Sequence, residues 1–200
     1  LRCIREDTVL SQFSLGKEGE VTVYVPDTLE GTVTIKNGSG DMEIDSLAVS
    51  KLTLDNSSGY IEMNNVTADV VEIASSSGDV KLSDGKIDDF QISTSSGYVT
   101  WKNTESEHIS ITAKSGEVNV SGLGDQTNAE VSTSSGDIGI SYETPPQNLS
   151  FKISSGSDDV SVRLEDASYT METSACKQGK IGDGTYSLTV NSDSGTVVIH

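Results

Sequence analysis

The sequence predicts an all-β chain folded as a single parallel β-solenoid, a right-handed β-helix-like coil of about ten rungs, each 19 to 20 residues long. Three observations carry this. A turn motif, Ser-Ser-Gly or a close variant, puts glycines at Gly40, Gly59, Gly78, Gly97, Gly116, Gly136, Gly156 and Gly195. Apolar residues alternate on both sides of each glycine, which is the period of a strand with one buried face. Like residues also recur at fixed offsets from copy to copy, as stacking of equivalent units requires.

Along the chain, residues 1–18 carry no repeat and are read as an N-terminal cap or leader remnant, because an open solenoid end exposes unpaired strand edges. The repeat domain is read over residues 19–200. Gly19-Glu20-Val21-Thr22-Val23 is a degenerate first copy. The steps between the eight glycines are then 19, 19, 19, 19, 20, 20 and 39 residues; the last is two steps with Ala175 standing where a glycine is missing.

Each copy reads as strand, glycine corner, strand. Seven and five residues before the glycine stand pairs such as Leu52/Leu54, Val71/Ile73 and Ile109/Ile111; two and four after it stand Ile61/Met63, Val99/Trp101 and Ile138/Ile140. Glycine suits a recurring bend that needs positive φ or close backbone approach, and the serines before it can hydrogen-bond local backbone. A weaker third side follows seven residues after the glycine, where Leu47, Val66 and Leu123 are interrupted by Gly85 and Thr104, and is expected to hold shorter strands and loops. Over residues 157–185 the rungs become irregular: the apolar pair after Gly156 is delayed by two residues, and a glycine-rich stretch replaces a strand. Pro145-Pro146 marks another excursion. Trp101 falls in an inward column and is expected in the core.

With 13 Lys+Arg against 31 Asp+Glu the net charge is −18, which repels nucleic acid and anionic lipid surfaces. No run approaches the roughly 18 apolar residues that span a bilayer, and the opening LRCIREDTVL is too charged for a signal-peptide core. The chain begins at Leu1, so a processed upstream segment is expected, and membrane attachment would come only through an anchor there. Chain-order stacking separates the two cysteines, Cys3 and Cys176, by about eight rungs, roughly 38 Å. A disulfide tolerates about 7 Å between Cα atoms, so no bond between them is expected.

The repeated SSGDV, SSGYI and SSGDI units, introduced by Val25-Pro26 within VTVYVPDTLEGTVTIKNGSGDMEI, resemble bacterial adhesin-like domains of unknown function, a family of SSGDV-repeat β-solenoid modules. The resemblance covers roughly residues 19–200. It implies a place in the bacterial cell envelope or outside the cell, no established enzymatic activity and no catalytic residues to carry over. The implied partner is a protein or glycan at the cell surface.

One outward row is a candidate ligand surface: Asp41, Tyr60, Asp79, Tyr98, Glu117 and Asp137, each directly after a corner glycine. It reads either as a ladder of carboxylates and rings for a sugar or protein, or as a solvated corner in which tyrosines relieve repulsion between acids one rung apart. No metal site and no cofactor are expected, since the calcium β-roll signature and the EF-hand loop are both absent and Asp88-Asp89 and Asp158-Asp159 read as loop solubilisers. His108 and His200 stand far apart and neither heads a triad. Regular Thr-x-Thr rows of an ice-binding face are missing. The leading expectation is a non-enzymatic interaction or scaffold module, an acidic rod of about 48 Å. The alternatives are a polysaccharide-binding or polysaccharide-cleaving β-helix, which requires a groove with converging carboxylates and a base, and a plain spacer.

Overall fold

The computed structural model describes residues 2–4, 13–15, 21–25, 31–157 and 159–200. Three short strands, β1 (Arg2–Ile4), β2 (Phe13–Leu15) and β3 (Val21–Val23), precede the repeat. Long and short strands then alternate: β4 (Thr32–Asn37) and β5 (Met42–Asp45), β6 (Ala48–Ser58) and β7 (Ile61–Asn64), β8 (Thr67–Ser77) and β9 (Val80–Ser83), β10 (Lys86–Ser96) and β11 (Val99–Lys102), β12 (His108–Ser115) and β13 (Val118–Leu123), β14 (Asn128–Ser135) and β15 (Ile138–Tyr142), β16 (Leu149–Ser155) and β17 (Val160–Val162). After these come β18 (Ser168–Glu172), β19 (Cys176–Ile181), β20 (Tyr186–Ser194) and β21 (Val197–Ile199).

The fold is the expected β-solenoid. Successive long strands pair in parallel into one sheet and successive short strands into another, with each residue opposite its counterpart in the next copy, as in Leu52↔Val71↔Phe90↔Ile109↔Ala129. All four apolar columns point between the sheets: Leu52, Leu54, Ile61 and Met63 have no exposed surface, and Trp101, 1% exposed, meets Phe90 edge-on at 4.8 Å. Burying each such side chain contributes roughly 1.5–3 kcal/mol before chain entropy is counted.

The corner glycines have φ between +105° and +159° in seven of the eight copies, Gly156 being the exception. A Cβ at Gly59, Gly78, Gly97, Gly116 or Gly136 would fall on the carbonyl of the preceding copy's glycine, so position and approach both demand glycine. The second corner uses a different solution. Ser46, Asn65, Asp84 and Asn103 take left-handed backbone there, the conformation that short polar side chains tolerate best.

Three expectations change. The third side is continuous strand in β6, β8 and β10, each 11 residues long, in which Val49, Ala68 and Ile87 are buried. Alternation shifts phase at Ser50-Lys51, where two successive residues are not buried, so the strand turns a corner without ending. Gly85 lies just before β10 and does not break that side, whereas at Thr104 the expected interruption holds: residues 104–107 carry only the isolated Lys86↔Glu105 bridge before β12 begins at His108, with the Thr104 Oγ1 accepting a hydrogen bond from the Gly85 amide at 3.2 Å.

The coil has about six turns in chain order, residues 32–142, where ten were expected. Val21–Val23 pairs antiparallel with Phe13–Leu15, and Ala175 lies between antiparallel β18 and β19, so neither copy is a rung. The remainder of the expected cap over 1–18 lies outside the described residues. Stacking also leaves chain order at the far end. The long sheet runs β1-β4-β6-β8-β10-β12-β14-β20-β16-β19-β18, and the short one ends β15-β21-β17. Gly195 therefore stacks on Gly136, 59 residues earlier, and the 39-residue step is no pair of stacked steps. Cys176 is free, and nine strand-to-strand steps, roughly 43 Å, separate its strand from that of Cys3.

Candidate functional site

Two outward features survive once the core has claimed its residues. The first is the corner row. Asp41, Tyr60, Asp79, Tyr98, Glu117 and Asp137 stand in one line, because the short strands that follow them pair in register. The acids turn along the stack. Asp41 Oδ1 accepts the Tyr60 amide at 2.9 Å, Asp79 the Tyr98 amide at 2.9 Å and Asp137 the Thr196 amide at 2.7 Å. Each of these three aspartates binds a corner amide of the next copy, which fits the alternation of acid and tyrosine over the first four positions. Tyr98 stays 56% exposed. The altered strand order lengthens the row: Thr196 follows Asp137, and Asp159 follows Thr196, whose Oγ1 donates to its Oδ2 at 3.2 Å. Asp159, read as a loop solubiliser from sequence, thus belongs to the ladder.

The second feature was not singled out in the sequence. On the outer face of the long sheet, β4, β6, β8, β10 and β12 form a trough of about 480 Å³. The outward row Lys36, Asp55, Ala74, Ser93, Thr112 is short-chained at Ala74 and Ser93, which makes the floor, while Glu72 and Gln91 of the neighbouring row rise beside it. Its carboxylates are held: Lys36 Nζ lies 3.1 Å from Asp55 Oδ2 and Lys51 Nζ 2.7 Å from Glu72 Oε1. Thr53, Gln91, Ser93 and Ser110 add neutral donors and acceptors. A row of small side chains at a constant offset from the corner glycine was the available signal.

The Toastrack DUF4097 family model matches residues 5–200, a span that contains the six-turn parallel coil of residues 32–142. The chain belongs to the Toastrack family. Toastrack domains are of unknown function, so membership fixes the fold and assigns no residue a role. No curated protein and no solved structure matches the chain.

Other polar groups of this Toastrack chain serve the fold. Three residues before the glycine runs a buried polar column, Asn56, Ser75, Thr94, Thr133 and Ser192, which sequence reading missed because only apolar periodicity was sought. Asn56 Nδ2 and Thr133 Oγ1 donate to the carbonyls of Gly59 and Gly136 at 2.9 and 3.1 Å, tying down the corner. The Lys81 ammonium is held above its ordinary pKa by its hydrogen bond and charge pairing with Glu62. Burial pushes the Tyr142 phenol well above the usual range, and its hydroxyl has no partner. Among the described residues no cluster of three or more His, Cys, Asp or Glu could hold a metal ion.

Proposed function

We propose that the chain is a non-enzymatic interaction module of the bacterial cell envelope or exterior, whose stiff stack presents the long-sheet trough to a protein or glycan. The trough itself carries this reading. Its floor and neutral hydrogen-bonding groups sit on parallel strands locked by a continuous core, so a ligand meets little ordering cost. Both carboxylates are engaged by lysines, and His108 pairs instead with Asp89 at 3.4 Å. The lining therefore supports recognition better than acid–base chemistry.

A second reading, binding of an extended polysaccharide, is favoured by the same trough, since its neutral donors and acceptors suit hydroxyl groups better than a charged partner. Screening the intact chain on a glycan array, alongside capture of envelope proteins, separates a glycan ligand from a protein partner. Ser93→Tyr fills the floor with an outward, strand-compatible side chain and should lower affinity at least about tenfold, or about 1.4 kcal/mol. Tyr60→Ser with Tyr98→Ser addresses the corner row. Binding that survives Ser93→Tyr and is lost in the tyrosine pair would move the site to the corner.

A further inference from the structure

The stack consists of two blocks that meet edge to edge. Strands β4 to β15 stack in chain order, whereas β16 to β21 pair among themselves, as β20-β16-β19-β18 in one sheet and β21-β17 in the other. The second block holds buried residues of its own, Leu149, Ile153, Ile181 and Val160, with Phe151 edge-on to Tyr169 at 5.5 Å. Strand β16 follows β15 in the chain yet forms no ladder with β14. The blocks join through β14–β20, with six register pairs from Ala129↔Leu188 to Ser135↔Ser194, and β15–β21, with three.

The strand pairing at this junction is that of one more rung of the repeat, with Asn128 Oδ1 in addition accepting from the Ser187 amide and hydroxyl at 3.1 and 3.0 Å. The Asp137–Thr196 bond copies Asp79–Tyr98, and Gly195 sits on Gly136 as Gly97 sits on Gly78. Its contacts are therefore equally available to the second block of another chain. The direct link between the blocks is the six-residue segment 143–148, containing Pro145-Pro146, between Tyr142 and Leu149. It must cross two strand spacings, about 10 Å, and the gap between sheets, about 10 Å, a diagonal of roughly 14 Å. Seven Cα steps span that comfortably at about 3.3–3.6 Å each.

We propose that the β14–β15 edge is an interface between copies of this chain: the second block of one molecule docks on the first block of another, exchanged about residues 143–148. Cis and trans docking make the same bonds, so concentration and linker length decide between them. Deleting Thr144, Pro145 and Pro146 leaves four steps, about 13–14 Å, at the limit of the span, and drives exchange.

The test uses the full chain with Ser132→Cys and Asn191→Cys, a register pair across the junction, and with Cys3→Ser and Cys176→Ser. It is refolded from denaturant over a hundredfold concentration range, oxidised, and read by light scattering and non-reducing electrophoresis. The expected result is intrachain-linked monomer at low concentration and a dimer bridged between chains at high concentration, with the deletion variant bridged between chains at lower concentration still. Intrachain links alone at every concentration in the full-length chain would overturn the proposal, whatever the deletion variant does. So would a dimer whose junction cysteines remain linked within each chain.

Discussion

At Gly97 the backbone sits at φ +121° and a Cβ would meet the Gly78 carbonyl, whereas Gly139, on the outer face of β15, has nothing within 4 Å of where its Cβ would stand. Gly97→Ala should therefore cost at least about 2 kcal/mol, and Gly139→Ala should lie within about 0.5 kcal/mol of the parent. Urea midpoints decide, and equal costs would discredit the carbonyl contact as the reason for glycine. Tyr142 gives a second residue-scale prediction. Its buried hydroxyl lacks a partner, so Tyr142→Phe should be neutral or stabilising at pH 8. Its native pKa is raised by burial, so the neutral phenol's contribution is complete below the unfolded phenol's value, about 10, and is lost as pH rises beyond it toward the native value. Between pH 9 and 11.5 the parent should lose more stability than Tyr142→Phe, measured by urea titration at each pH.

Within a single strand the two faces carry different loads. In β10, Ile92 is 1% exposed and Ser93 lines the outer trough. Ile92→Ala should cost about 2–5 kcal/mol, whereas Ser93→Thr should change stability by less than about 0.5 kcal/mol; chemical denaturation of both checks the assigned facing. This alternation was legible from sequence because a strand's facing repeats every two residues and the inward sites seven and five residues before the glycine are apolar. Asn56 and Thr94 were not legible as inward, since their side chains bond carbonyls of the turn, those of Gly59 and Ser96, that only the folded corner directs toward them, and Ser75 is carried inward between them by strand register alone. The trough escaped notice for a related reason: Ala74 and Ser93 are unremarkable singly and form a floor only when strands align them beside Glu72 and Gln91. The corner row was visible as a line, but not the acids' acceptance of amides from the next copy.

On the scale of the whole molecule the position of the last strands dominates. Residues 186–199 lie inside the stack, with β14–β15 on one side and β16–β17 on the other. Truncation after Thr185 should therefore disrupt residues 149–181 as well, while the six chain-order turns keep their protection. Hydrogen exchange of the intact chain should correspondingly show β16 to β21 opening as one unit, at lower free energy than β6 to β12. Independent opening of β18–β19 alone, with β16 and β20 as protected as β8, would contradict that division.

In the sequence, the register of glycines and apolar pairs determined the rung, its corner and its core, because each is a local demand of backbone conformation and strand facing. Tertiary structure decided which rung follows which. Copies that present the same apolar columns and the same corner can stack on one another interchangeably, so nothing in the pattern of residues 186–199 says that they pair with residues 128–142 and not with the end of the rod. That choice, with the number of turns and the trough, rests on strand pairing over 59 residues of chain.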